Sequence, residues 1–172
     1  MIIRHITPAD AQSLANLITQ VENESDYMLF EPGERQTSAD TQLKRIEAIQ
    51  KADHSTIIIA EQDNRLIGFV MAIGGAAKRN RHSAYLVAGI LREHRGRGIG
   101  TQLFEELDRW ARENHIHRLE LTTVIQNQAG VALYKKAGFQ IEGTKKHSLM
   151  INGEFVDEYY MGKLLYQKGH SL

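Results

Sequence analysis

Residues 94–100 read HRGRGIG, and this stretch limits most tightly how the chain can fold. An apolar segment, SAYLVAGIL, lies just before it, and an amphipathic segment, TQLFEELDRWA, follows at once. The pattern predicts a β-strand, a glycine-rich turn and the start of a helix. The free N–H groups and dipole of a helix start attract a phosphate or pyrophosphate, and glycine lets the backbone approach such an anion closely.

Two common phosphate-binding motifs fit this turn poorly. The Walker pattern requires Lys-Ser/Thr after its last glycine, and no such pair follows Gly100. The dinucleotide fingerprint Gly-x-Gly-x-x-Gly follows the first strand of a parallel unit, whereas Gly96-x-Gly98-x-Gly100 lies late in the chain. The missing Walker lysine and magnesium ligand also disfavour a nucleotide phosphotransferase.

Hydrophobic periodicity and turn residues predict the order β-α-α-β-β-β-α-β-α-β-β. The predicted helices are residues 7–24, 37–53, 100–116 and 126–139, and the predicted strands are residues 1–6, 55–62, 65–75, 83–91, 117–125 and two within 140–165. Asp63-Asn64 and Asn152-Gly153 mark tight hairpin turns. One strand-helix-strand unit inside a largely antiparallel sheet predicts a mixed α/β (α+β) domain. We expect a single domain over residues 1–166 and a polar tail over 167–172.

Composition disfavours several classes of partner. The 21 basic residues balance 21 acidic ones, so the whole chain offers no footprint for nucleic acid or an anionic membrane. The absence of cysteine excludes disulfides and thiolate metal sites, and His115-x-His117 lacks a third metal ligand nearby in the sequence. No apolar run approaches membrane-spanning length, and no signal-peptide core is present. We therefore expect a cytoplasmic protein that binds no metal, nucleic acid or membrane.

Residues 95–100, RGRGIG, resemble the Arg/Gln-x-x-Gly-x-Gly/Ala motif of the GNAT superfamily of acyl-CoA-dependent N-acetyltransferases. A second block, NQAGVALYKKAGF at residues 127–139, resembles the Asn…Ala…Leu-Tyr…Gly-Phe block of the same family. The two resemblances cover residues from about 84 to 143. They imply a GNAT-like, mostly antiparallel sheet of about seven strands flanked by about four helices, with a splayed central strand pair. The closing strands are similar to the branch that acts on amino acids, related small amines and peptide N-termini.

The resemblance also implies where acetyl-CoA binds as the acetyl donor. The turn would hold the pyrophosphate, the strand before it would bond the pantetheine arm, Asn127 would contact coenzyme A, and Tyr134 would lie near the acyl sulfur. The implied cofactor-binding residues are Ile90, Arg95, Gly96, Arg97, Gly98, Ile99, Gly100, Thr101, Asn127 and Tyr134. Tyr134 and Asn127 are also the implied catalytic residues. Tyr134 is the candidate proton donor to the leaving thiolate, since a phenol with a reference pKa of about 10 stays protonated at neutral pH.

The acceptor side is less defined in the sequence. Glu31 lies in the segment LFEPGE, where a carboxylate beside apolar residues suits a cationic amine, and Tyr85 can line the acceptor pocket. Glu120, Glu31 and Glu34 remain alternative general bases.

The favoured function is acetyl transfer from acetyl-CoA to a primary amine of a small molecule, an amino acid or a related compound. Acetylation of a polyamine, a protein or a peptide N-terminus is the alternative within the same chemistry. A coenzyme-A-binding regulatory module without turnover is the alternative from another class, and the presence of Tyr134 and the glycines disfavours it. We also expect a homodimer.

Overall fold

The computed structural model describes residues 1–166, and the predicted polar tail at 167–172 lies outside these residues. The strands are β1 (Ile2–His5), β2 (Thr56–Gln62), β3 (Arg65–Gly74), β4 (Ser83–Ile90), β5 (Arg118–Val124), β6 (Gln140–Ile151) and β7 (Glu154–Leu164). The α-helices are α1 (Ala11–Glu24), α2 (Ala39–Lys51), α3 (Ile99–Glu113) and α4 (Gln128–Lys136). Short 3-10 turns at Pro8–Asp10 and Arg92–His94 precede α1 and the glycine-rich turn.

All seven strands form one sheet in the order β1-β2-β3-β4-β5-β7-β6. Every neighbouring pair is antiparallel except β4 and β5, which are joined through α3 and run parallel. Both predicted hairpin turns have the positive φ angles that tight turns require, 51° and 60° at Asp63 and Asn64 and 51° and 79° at Asn152 and Gly153. The predicted mixed α/β fold is confirmed.

The first helix begins later than its sequence pattern predicts. Residues 8–10 form a 3-10 turn, and the α-helix starts at Ala11. The Asp10 carboxylate accepts hydrogen bonds from the Thr7 backbone N–H (2.8 Å) and from both terminal nitrogens of Arg4 (2.8 Å each). Pro8 has no N–H to donate, and the Asp10 carboxylate takes up the Thr7 N–H, so the tighter turn is stable at this end of the helix.

Replacing Asp10 with Asn is expected to lower the free energy of unfolding by about 1–2 kcal/mol at neutral pH. Hydrogen bonds from Arg4 lower the pKa of Asp10 from 3.8 to about 2, although burial opposes the shift. Because the folded-state pKa is depressed, the contribution is complete above about pH 4 and is lost as the pH falls through about 2. Urea unfolding at neutral pH and near pH 2 measures it, with exposed Asp26→Asn as the control. An equal difference at both pH values would contradict the ion-pair origin.

Helices α1 and α3 lie on opposite faces of the sheet. A Cβ added to Gly89 would lie 2.6 Å from Val21 Cγ1 of α1, whereas one added to Gly68 would lie 3.5 Å from Leu103 Cδ1 of α3. Gly68 pairs with Ile90, the neighbour of Gly89, and successive side chains along a strand point to opposite faces. We call these two sides the α1 face and the α3 face.

Gly89→Ala is expected to lower the free energy of unfolding by about 1–3 kcal/mol, because the added methyl overpacks buried Val21 and Phe69. The Phe69 ring would lie 2.9 Å from the new Cβ and has little room to move. Gly143→Ala is the matched strand control, since its Cβ would meet Tyr160 at an ordinary 3.8 Å. Urea unfolding compares the two variants, and adding Val21→Ala should recover part of the Gly89→Ala loss. Equal stabilities would show that α1 adjusts freely over β4.

Two further properties of residues 1–166 bear on function. None of their helices combines the length and the apolar character that crossing a bilayer requires. Within the same residues, no three His, Asp or Glu side chains gather in a group that could hold a metal ion.

Candidate functional site

Strands β4 and β5 pair over only part of their length. Their register runs from Ser83 opposite Arg118 to Tyr85 opposite Glu120, and no pair follows, although β4 continues to Ile90 and β5 to Val124. The predicted splay of the central strands is therefore present. We call the space between residues 86–90 and 121–124 the β4–β5 gap.

One edge of β4 directs backbone groups that no neighbouring strand pairs into this gap. The Leu91 N–H donates to the Ile67 carbonyl (3.0 Å), so residue 91 and alternate residues before it direct their polar groups toward β3. The intervening residues Ala88 and Ile90 consequently direct theirs toward the gap. The Ile90 carbonyl accepts a hydrogen bond from Arg95 Nε (3.1 Å), which folds the Arg95 side chain back over the end of β4.

The turn between β4 and α3 has the geometry of an anion site. Gly96 and Gly98 have φ angles of 71° and 78°, and within residues 1–166 no atom lies within 4 Å of a Cβ built on either of them. Gly98 is the N-cap of α3, and the first helical bond runs from Gln102 N–H to its carbonyl, which leaves the N–H groups of 98–101 without an acceptor in the described chain. The turn thus combines free donors, a helix dipole and open space.

The basic residues around the turn differ in their roles. Arg97 is exposed, and no carboxylate of residues 1–166 pairs with it, so its charge is available to an anion at the turn. Arg92 is tied to the end of α1, where its backbone N–H donates to the Glu24 carboxylate (2.7 Å). That hydrogen bond is also the main reason that the pKa of Glu24 is lowered.

The remaining turn residues act through their backbone or through packing. Ile99 is buried in the core, and a Cβ on Gly100 would lie 2.7 Å from Leu133 Cδ2, so Gly100 allows α3 and α4 to approach closely. Thr101 is half-buried and, with Lys136 of α4, lines a cavity of about 240 Å³ between the two helices. This groove extends from the turn along the α3 face.

The second sequence block forms α4. Asn127 caps the helix, and its side-chain oxygen accepts a hydrogen bond from the Gly130 N–H (3.1 Å). Tyr134 packs edge-on against Phe104 and Phe139, at ring-centroid distances of 5.7 and 6.2 Å. Burial, with a smaller effect from the neighbouring Tyr85, raises the pKa of Tyr134 to about 12. Its phenol therefore stays protonated across the physiological range.

A cavity of about 340 Å³ opens on the α1 face beside the gap. Its walls are Tyr85, Arg118, Glu120, Leu121, Thr122, Glu142, Tyr160 and Met161. The Tyr85 hydroxyl lies 2.8 Å from Thr122 Oγ1, which joins β4 and β5 where their backbones diverge. We call this the α1-face cavity.

An ion-pair cluster forms one side of the α1-face cavity. Arg118 Nε donates to Glu120 (2.7 Å), and Arg118 Nη1 donates to Glu142 (3.0 Å). These bonds raise the pKa of Arg118, and the Arg118 guanidinium lowers that of Glu142. Two carboxylates share one guanidinium, so this side of the cavity carries a net negative charge.

Comparison with known proteins identifies the family to which this chain belongs. A sequence model of the acetyltransferase (GNAT) family matches residues 19–139. The chain belongs to the GNAT acetyltransferase family. It is similar to the L-amino acid N-acetyltransferase AaaT of Escherichia coli (strain K12), with 32% identity over 111 residues that cover 62% of this chain and 67% of that protein.

Two solved structures extend the GNAT likeness over nearly the whole chain. A GNAT-family acetyltransferase from Streptococcus pneumoniae matches with a TM-score of 0.91 and 30% identity over 96% of this chain and 99% of that one. The ribosomal-protein-alanine N-acetyltransferase from Brucella melitensis matches with a TM-score of 0.82 and 29% identity over 96% of this chain and 100% of that one. The chain is therefore a GNAT N-acetyltransferase.

In this GNAT chain, the structure brings together only some of the residues singled out in the sequence. Tyr85 and Glu120 line the α1-face cavity, and Tyr85 is close enough to Tyr134 to contribute to the raised pKa of Tyr134. Glu31 lies instead in the exposed loop between α1 and α2, where its N–H donates to the Glu34 carboxylate (2.8 Å), and neither residue lines that cavity.

Sequence reasoning missed six residues of the α1-face cavity, the apolar Leu121 and Met161 and the polar Arg118, Thr122, Glu142 and Tyr160. The alternation of Arg118, Glu120 and Thr122 with leucine and threonine along β5 carried a usable signal, because alternate residues of a strand share one face. Glu142 and Tyr160 carried none, since their place depends on how β6 and β7 pair with β5.

Proposed function

We propose that this chain transfers an acetyl group from acetyl-CoA to the primary amine of an amino acid or a closely related small molecule. The β4–β5 gap is the observation that carries the proposal, because it lets a donor on the α3 face meet an acceptor on the α1 face. The similarity to an Escherichia coli protein named L-amino acid N-acetyltransferase supports this class of acceptor.

The donor would lie along the α3 face. The free N–H groups of residues 98–101 and the Arg97 side chain suit its pyrophosphate, and the groove lined by Thr101 suits the part of the molecule beyond it. The gap-facing backbone of Ala88 and Ile90 suits the amides of the pantetheine arm. The side-chain oxygen of Asn127 is used in capping α4, which leaves its side-chain nitrogen to donate to the same arm.

The chemistry then follows from groups at the gap. A neutral amine attacks the thioester carbonyl, the new C–N bond forms, and the C–S bond breaks. The Ala88 N–H is placed to stabilise the negative charge that develops on the carbonyl oxygen. Tyr134 donates its phenolic proton to the leaving sulfur, the nitrogen of the new amide releases its extra proton to solvent, and Tyr134 regains a proton from solvent.

The incoming ammonium must lose a proton before it can attack. Glu120 is the carboxylate that both lines the α1-face cavity and lies opposite Tyr85 in the β4–β5 register. We propose that Glu120 accepts this proton, directly or through one water molecule. The net negative charge of the Arg118, Glu120 and Glu142 cluster also attracts a cationic amine.

A peptide N-terminus is the second candidate acceptor. The Brucella melitensis structure, which is 29% identical to this chain, is named a ribosomal-protein-alanine N-acetyltransferase. The α1-face cavity gives an extended peptide a way to approach the gap.

The experiment is a thiol-release assay with acetyl-CoA and three acceptor panels: free amino acids, polyamines and short peptides beginning with alanine. Calorimetry with acetyl-CoA alone is run first. Release with amino acids supports the proposal, and release with peptides alone moves the function to the second candidate. Binding without release from any panel would favour a coenzyme-A-binding regulator, and no binding would refute the donor site.

We also propose that the chain forms a homodimer through the β6–β7 hairpin. β6 is an edge strand of the sheet, and Met150 and Phe155 are paired on the hairpin with 58% and 59% of their surface exposed. Light scattering on the intact chain tests the association, and Phe155→Glu should give a monomer. A cytoplasmic location remains a prediction.

A further inference from the structure

Arg45, in the middle of α2, is a half-buried cation without an acidic partner. Its Nη1 lies 3.8 Å from Met71 Sδ, and no carboxylate of residues 1–166 pairs with it. The neighbouring Arg35 already has an acidic partner, because its Nε donates to buried Glu22 (2.9 Å), and its guanidinium also stacks over Phe30 at 4.1 Å. Buried arginines are normally paired, so this isolation requires an explanation.

The surroundings of Arg45 are electrostatically unfavourable for its charge. Burial, and then repulsion from Arg35, lower the pKa of Arg45. Glu22, Arg35 and Arg45 together carry a net positive charge, since Glu22 neutralises only one of the two guanidinium groups. An anion beside Arg45 would offset both the lost hydration and the repulsion.

Arg45 is also close to the place where the acceptor amine must react. Met71, which it contacts, lies opposite Val87 in the β3–β4 register, and Val87 lies on β4 just beyond the last residue paired with β5. Neighbouring strands are about 4.8 Å apart, so the point where Arg45 contacts β3 is about one strand spacing from β4, the strand that borders the gap.

The same part of the sheet has an open apolar surface. Ile73, Tyr85 and Val87 lie on the α1 face beside Arg45 and keep 44%, 43% and 40% of their surface exposed. A small molecule on this surface has a cation at one side and the β4–β5 gap at the other. The separation of about one strand spacing suits a molecule whose amine and carboxylate are close together.

We propose that Arg45 binds the carboxylate of the acceptor, which makes the substrates amino acids with a free carboxylate near the amine that is acetylated. This inference rests on the proposed function and narrows it. Polyamines have no carboxylate, and the α-amine of a peptide is followed by a neutral amide, so neither would use Arg45 in this way.

The experiment compares each amino acid with its own carboxamide. L-alanine, L-leucine and L-phenylalanine and their three carboxamides are assayed for thiol release with wild-type enzyme, Arg45→Gln, Arg45→Lys and Lys44→Gln. Lys44→Gln is the matched control, because Lys44 is exposed and its replacement removes the same charge from the same helix. The amine of a carboxamide is less basic than that of the free amino acid, so more of it is neutral and reactive at neutral pH. Intrinsic reactivity therefore favours the carboxamides, and a preference for the free amino acids must come from the enzyme.

We expect the wild-type kcat/KM to be about 10- to 100-fold higher for the free amino acids than for their carboxamides. The difference should arise from a lower KM for the amino acids. Arg45→Gln should abolish the preference by raising KM for the acids alone, Arg45→Lys should retain part of it, and Lys44→Gln should retain all of it. Unchanged acetyl-CoA binding by calorimetry shows that each variant is folded.

Three outcomes would overturn the inference. The first is an equal kcat/KM for amino acids and carboxamides with the wild type. The second is a preference for amino acids that persists in Arg45→Gln. Turnover of alanyl peptides or polyamines but of none of the three amino acids would refute Arg45 as a carboxylate site while leaving the acetyltransferase activity standing. Absence of turnover with every amine would instead refute the proposed function itself.

Discussion

Tyr134→Phe is expected to lower kcat about 100- to 1000-fold while leaving acetyl-CoA binding nearly unchanged. The substitution removes only the hydroxyl, so the aromatic contacts with Phe104 and Phe139 remain. Without that proton donor, the thiolate must leave unprotonated or take its proton from water. Steady-state turnover and calorimetric titration with acetyl-CoA separate the two effects.

The control for this variant is Tyr166→Phe, which removes an exposed phenol that contacts His117 at the end of β7. Because the pKa of Tyr134 is about 12, the wild type should show no loss of kcat from its ionisation as the pH rises to about 10. Full turnover by the Phe variant would make Tyr134 a packing residue and assign protonation of the thiolate to water.

Gly98→Val is expected to raise the KM for acetyl-CoA about 10- to 100-fold, the second of the large effects. Gly98 has a φ of 78°, which a β-branched residue adopts only with strain, and the new side chain would occupy the space that the pyrophosphate is proposed to fill. The loss should appear in acetyl-CoA binding and much less in the KM for the acceptor.

Gly153→Val controls for backbone strain alone. Gly153 has a φ of 79°, and no atom of residues 1–166 lies within 4 Å of its Cβ position, but it lies at the tip of the β6–β7 hairpin. Both variants should lose similar stability in urea unfolding, whereas only Gly98→Val should lose acetyl-CoA affinity. Parallel losses of affinity would show that strain, and not contact with the donor, explains the effect.

Local patterns in the sequence were sufficient for much of the fold. The strand, turn and helix around Gly98 depend on neighbouring residues, as do the two hairpin turns with positive φ, so periodicity and turn chemistry predicted them. The helix predicted from residue 7 begins instead with a 3-10 turn at residues 8–10, and α1 starts at Ala11, since the contact from Arg4 to Asp10 favours the tighter turn.

The acceptor side depended on contacts between distant residues, which one sequence does not display. Arg118 meets Glu142 only because β7 is placed between β5 and β6, and Arg45 meets Met71 only because α2 packs across the α1 face. The apolar neighbours of Glu31 in the sequence predict a residue that binds the acceptor amine, yet the loop that carries Glu31 leaves it exposed. Pairing and packing over long sequence separations decided each of these positions.

The short pairing of β4 with β5 has a mechanical consequence. Strands β1–β4 form one part of the sheet and β5–β7 form another, and the backbone register between β4 and β5 runs only from Ser83 to Tyr85, next to the side-chain contact of Tyr85 with Thr122. A molecule lying in the β4–β5 gap would form hydrogen bonds with the strand edges that do not pair with each other. The two parts would then move as one body, and the amides of residues 86–90 would exchange their hydrogens with water more slowly whenever that molecule was bound.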